Sequence, residues 1–121
     1  MTTVILDPER LSLELRKLLV PIELRAQPML FSDLPYLFVP LAERIIIRYC
    51  VSNKLTFERT AQSWDVTTYY SDDFKEITRY SWTPFVVEDR FAIEIIADRD
   101  ADASRTVMKV VDVKIHEVMR K

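Results

Sequence analysis

The sequence predicts an α+β fold: an N-terminal helix and a proline-broken apolar strap, followed by an antiparallel β-sheet of about five strands. Three observations predict it. Asp7-Pro8 opens a run with leucines at helical spacing. The stretch Pro28–Leu41, PMLFSDLPYLFVPL, is strongly apolar yet interrupted by Pro28, Pro35 and Pro40. From Ala42 onward apolar and polar residues alternate, in segments bounded by Asn, Asp and Ser. A chain of 121 residues is about one domain's worth. We read residues 1–41 as helix plus strap and 42–121 as sheet.

The helix starts where an N-cap carboxylate, Asp7, precedes proline at the first helical position. Leu11, Leu15, Leu18 and Leu19 line one face, and Pro21 ends the helix. Leu13 and Val20 project to the other side among charged residues, and they are candidates for a second contact surface. Residues 22–27 alternate Ile22, Leu24 and Ala26 with polar side chains, as a short strand does.

The strap cannot be a free linker. Each large apolar side chain there favours burial by roughly 1.5–3 kcal/mol. Three prolines argue against one continuous helix or a central strand. Ser32 and Asp33 can cap only a short turn before Pro40. The strap therefore covers either its own core or a neighbouring chain. Met29, Leu30, Phe31, Tyr36 and Phe38 are its interface candidates.

After the strap, Ile45, Ile47, Tyr49 and Val51 share one parity, and Leu55 and Phe57 resume it after Ser52-Asn53-Lys54. This predicts a hairpin, 43–51 with 55–60, with Asn53 in the left-handed position. A helix over 41–51 competes, but the β-branched run disfavours it. Parity then flips, which places a break near 60–63. Trp64, Val66, Thr68 and Tyr70 form the next strand, and Ser71-Asp72-Asp73 a turn. Thr78, Tyr80 and Trp82 follow until Pro84. Phe85 and Val87 restart the pattern, followed by Phe91, Ile93, Ile95 and Ala97. Asp98–Arg105 reads as a solvated polar loop. A last strand carries Val107, Val111, Val113 and Ile115.

Composition excludes several chemistries. The chain has no glycine, where average usage would supply roughly eight. Walker loops, GxGxxG turns and GxSxG elbows are therefore absent. Asp98, Asp100 and Asp102 begin like a calcium loop, but Ala103 and Lys109 stand where glycine and a bidentate glutamate are required. The single histidine, His116, lacks a second His for a metal site or a triad. The single cysteine, Cys50, sits in an apolar run and reads as a buried thiol. No metal or cofactor is expected. The net charge of −2 does not favour nucleic acid, no apolar run reaches the ~18 residues of a membrane span, and the N-terminus lacks a secretory pattern. A lone cysteine fits a reducing compartment or an assembled particle.

Surfaces remain. Arg44, Arg48, Lys54 and Arg59 form a basic strip, and Asp65, Asp72, Asp73, Glu76, Glu88 and Asp89 form acidic turns. Opposed strips on one chain suit association of identical subunits. We therefore expect a non-enzymatic structural or assembly subunit, homo-oligomeric or part of a larger protein assembly. The alternative is a small binding module with a pocket lined by Trp64, Tyr70, Tyr80 and Trp82. A carboxylate- and tyrosine-based enzyme is a third reading.

Overall fold

The computed structural model describes residues 7–26, 34–60, 64–101 and 106–118. Two helices and six strands follow in the order α1 (Pro8–Leu19), β1 (Glu23–Ala26), α2 (Leu34–Ser52), β2 (Phe57–Arg59), β3 (Asp65–Tyr70), β4 (Glu76–Val87), β5 (Phe91–Ala101) and β6 (Thr106–Glu117). The predicted α+β class and its antiparallel sheet are what the chain forms. The order across the sheet is β1-β6-β5-β4-β2, with β3 also pairing to β4. Thus β4 is shared. Its first half pairs with β3 and its last three residues pair with β2.

The first helix forms as its sequence dictates. Asp7 accepts from the Glu9 N–H at 3.0 Å, Pro8 stands at the first turn, and Leu11, Leu15 and Leu19 are buried. Leu18, expected on the same face, is largely exposed. The Ser12 hydroxyl donates to the Val113 carbonyl at 2.8 Å, and Arg16 pairs with Asp112 at 2.5 Å. These contacts tie α1 to β6.

The second helix corrects the sequence reading. Leu34 to Ser52 is continuous helix, so residues 34–41 are not an extended strap and no hairpin spans 43–51 with 55–60. Pro35 falls in the first turn, where its missing N–H is harmless. Pro40 is accommodated inside the helix. Leu34, Phe38, Ala42, Ile46 and Cys50, each four residues apart, are all fully buried. Packing this stripe on the sheet outweighs the local β preference of Ile45–Ile47. The candidate cap residues Ser32 and Asp33, with Pro28–Phe31, lie outside the described residues.

Helix α2 stops in a Schellman motif. The Leu55 N–H donates to the Cys50 carbonyl at 2.8 Å and the Lys54 N–H to Val51 at 3.2 Å. The left-handed residue is Lys54, φ 56°, and not Asn53. Phe74, Glu88 and Asp89 also have positive φ. A chain without glycine has had to place ordinary residues where a Cβ is unfavourable. Lys54→Gly is therefore expected to stabilise the fold by about 1 kcal/mol, read as a higher urea midpoint with an unchanged slope.

Both helices cover one face of the sheet. Tyr80, Trp82, Phe85 and Val87 of β4, Phe91, Ile93, Ile95 and Ala97 of β5, and Met108, Val110 and Val113 of β6 join the buried leucines of α1 and the stripe of α2. Two irregularities keep parity correct. One lies between Trp82 and Phe85, at the predicted Pro84 break, where the Thr60 N–H donates to the Pro84 carbonyl at 2.9 Å. The other sits opposite Ile96 and Ala97, which moves Met108 and Val110 to the core and leaves Val107 and Val111 on the open face.

Candidate functional site

The open face of the sheet carries the polar side chains. Asp98 is buried within β5, not at a solvated loop tip, and Asp100 pairs with Lys75 at 3.0 Å. Arg79 on β4 forks onto both Asp98 oxygens at 2.8 and 3.0 Å, and the Tyr69 hydroxyl on β3 donates to Asp98 at 2.7 Å. Arg79 also lies 4.9 Å over the Tyr69 ring. The hydrogen bond to Asp98 raises the Tyr69 hydroxyl above the usual tyrosine range, and Asp98 likewise holds Arg79 more firmly protonated. These bonds tie β3, β4 and β5 together across the open face. Nearby, Glu94 accepts from Ser81 and contacts His116 at 2.7 Å. The serine hydroxyl lowers the Glu94 carboxyl below its ordinary value. A shallow concavity of about 320 Å³ on this face is lined by Glu23, Asp98, Asp100, Lys109 and three aliphatic residues. Among the described residues no group of three His, Cys, Asp or Glu is placed to hold a metal.

The aromatic candidates separate. Tyr36 packs edge-on against Trp64 at 5.2 Å, Trp64 against Tyr80 at 5.7 Å, and the Arg99 guanidinium lies 5.4 Å over Tyr80. Residues from α2, from the segment just before β3, and from β4 and β5 thus meet in one stack. Trp82 is buried in the core, with its indole N–H unpartnered among the described residues. Tyr70 stands apart at the far end of β3, exposed.

Of the interface candidates, Tyr36 is exposed at 68% and Leu13 and Val20 are also exposed, whereas Phe38 is fully buried and is a core residue. Met29, Leu30 and Phe31 lie outside the described residues. The four residues of the expected basic strip fall on other elements than the predicted hairpin. Arg44 and Arg48 project from α2 to solvent, Lys54 caps its end, and Arg59 on β2 is held by Glu43 at 2.5 Å. Once α2 is a helix, further residues join. Leu37, Leu41, Arg44, Arg48 and Val51 form one exposed stripe at spacings of four and three. Leu37 is 54% exposed and Leu41 41%. Leu37 and Leu41 were read as part of an extended strap and Val51 as part of a strand, and only a helical period places the three together. No ion-pair partner of Arg44, Arg48 or Lys54 occurs among the described residues.

Two groups on the inner side of this helix are held neutral to high pH. The Tyr49 hydroxyl donates to Glu14 of α1, and burial followed by that bond pushes Tyr49 up to about 12. Burial pushes the Cys50 thiol up to about 11. Both groups stay neutral in the fold after the unfolded chain has ionised. Their contribution is therefore complete below pH 9 and is lost between about 9 and 12. Stability should fall through that window by on the order of 2 kcal/mol for Cys50, and Cys50→Ala should flatten its lower part in urea titrations at stepped pH.

Family models, curated proteins and solved structures give no significant match to this chain. The functional reading therefore rests on the surfaces themselves. No described helix is long and apolar enough to cross a membrane.

Proposed function

We propose that this chain is a non-enzymatic structural subunit that works by associating with further copies of itself. The observation that supports this is the outer stripe of α2. A helix already committed to a core along Leu34, Phe38, Ala42, Ile46 and Cys50 carries a second row of large apolar side chains facing water. Exposed apolar residues are ordinary when scattered. Tyr36, Leu37, Pro40 and Leu41 are contiguous and run directly into Arg44 and Arg48, and aromatic residues and arginine are enriched at protein interfaces. The acidic charge that would complement the arginines is present on the same chain, at the β3–β4 turn.

Light scattering coupled to size exclusion tests this reading. The protein is expected to elute above monomer mass at tens of micromolar, with mass rising with concentration. A constant monomer mass across that range would end the proposal.

A further inference from the structure

The β3–β4 turn is built against its own sequence. The Phe74 N–H donates to the Ser71 carbonyl at 2.9 Å and the Ser71 N–H to the Lys75 carbonyl at 2.9 Å. Phe74 has φ 62°. This is a tight turn closed by a left-handed residue, a place that hairpin geometry reserves for glycine. The chain puts phenylalanine there and leaves it 88% exposed, beside Tyr70 at 69%. Asp72, Asp73 and Glu76 flank it in sequence and are exposed, while the one positive neighbour, Lys75, is engaged by Asp100 at 3.0 Å. The Ser71 hydroxyl followed by the backbone holds Asp73 below its ordinary carboxylate value. The hairpin end is thus an aromatic knob in a negative collar. The lack of glycine accounts for an ordinary residue at this position. That the residue is a large apolar ring held in water is what the turn itself does not require.

The outer stripe of α2 has the complementary pattern. Leu37 and Leu41 are followed by Arg44 and Arg48, with Val51 beyond. The two patches cannot meet within one molecule. Tyr36, at the start of α2, touches Trp64 just before β3, and Leu55, just after α2, bonds back to Cys50 close to β2 and the end of β4. The start of α2 therefore lies beside the start of β3, and its end lies beside β2 and the end of β4. The turn at Ser71–Lys75 lies past the other end, with β3 (six residues, Asp65–Tyr70) carrying it away from α2. At ~3.3 Å per residue that is roughly 20 Å beyond Trp64.

We infer that the hairpin end of one copy docks on the outer α2 stripe of the next, with Phe74 and Tyr70 against Leu37 and Leu41, and Asp72, Asp73 and Glu76 facing Arg44 and Arg48. This rests on the self-association reading above and specifies its surfaces. The contact is heterologous, because donor and acceptor are different patches. It repeats from copy to copy until a ring closes or a filament extends.

The test uses full-length chains and two variants. Phe74→Gly removes the knob and also supplies the residue the turn prefers, so it is expected to melt higher than the parent while weakening association by roughly 100-fold. Arg44→Glu/Arg48→Glu disables the acceptor stripe at exposed positions and is expected to be a folded monomer. Mixed together, the two are expected to form a one-to-one heterodimer and nothing larger, since the glycine variant keeps its helix face and the glutamate variant keeps its hairpin. A parent that associates while Phe74→Gly associates equally well, or a mixture that stays monomeric, would overturn this docking and leave the self-association proposal standing. A monomeric parent would overturn both.

Discussion

Phe38→Ala is expected to destabilise the protein by roughly 3–5 kcal/mol, whereas Tyr36→Ser, two residues earlier in the same helix, should cost under about 1 kcal/mol. Phe38 is fully buried among the side chains that join α2 to the sheet. Truncating it leaves a cavity that a close-packed interior relaxes around only in part. Tyr36 keeps most of its ring in water, and the aromatic ring it touches among the described residues is half-buried Trp64. A domain of this size has only about 5–15 kcal/mol of net stability, so the first substitution removes a large share of it. Urea denaturation of both variants checks the contrast. Equal losses would mean that the apolar segment is not divided between core and surface as the helix places it.

That division shows where the sequence was legible. Helix α1 could be read from local chemistry alone, since Asp7, Pro8 and the leucine spacing act within one segment and the structure places the cap and Leu11, Leu15 and Leu19 as expected. In β4 and the first part of β5 one face is covered, which writes a period of two into the sequence, and those strands were legible. In β6 the expected face of Val107 and Val111 is overturned, because the irregularity opposite Ile96 and Ala97 buries Met108 and Val110 instead. Helix α2 was not legible by the same rule. Its residues at 45, 47, 49 and 51 alternate as a strand would, while the stripe at 34, 38, 42, 46 and 50 that the core buries is a four-residue period running through two prolines. What decides between them is the breadth of the β4–β5 face available to cover, a property of residues forty positions downstream.

The same limit hid the surfaces. Arg44 and Arg48 were visible as charge, but Leu37 and Leu41 join them only on a helix. Phe74 belongs to no alternating run, since it follows the Ser71-Asp72-Asp73 turn, and its exposure comes from the left-handed position that turn gives it. The absence of glycine forecast that other residues must occupy left-handed positions. It did not forecast which, because Asn53, the residue best suited to one, is bypassed for Lys54 by the bonding pattern at the end of α2. Asp98 was read as part of a solvated loop for a related reason. A run of alternating acids and an arginine has no apolar face to betray a strand, and only pairing with Arg79 and Tyr69 across the sheet makes burial tolerable.

Arg79→Met should therefore be among the costliest changes outside the core, at roughly 2–4 kcal/mol, although Arg79 itself is partly exposed. The loss comes less from the arginine's own contacts than from what it leaves behind. Asp98 is buried at the centre of three strands, and without the guanidinium fork its side chain keeps, among the described residues, the Tyr69 hydroxyl. Removing one member of a buried pair costs more than removing both, because the survivor bears its desolvation alone. Arg79→Met/Asp98→Leu is accordingly expected to recover more than half of the loss, and Tyr69→Phe alone should cost only about 1 kcal/mol. A double-mutant cycle in urea measures the coupling. If Arg79→Met proved as mild as an ordinary surface ion pair, within about 1 kcal/mol, Asp98 would have to be reaching water. If instead the double variant fell below the single one, the network would be contributing attraction beyond mutual compensation, and the open sheet face would owe its order to these charges as much as to the core beneath it.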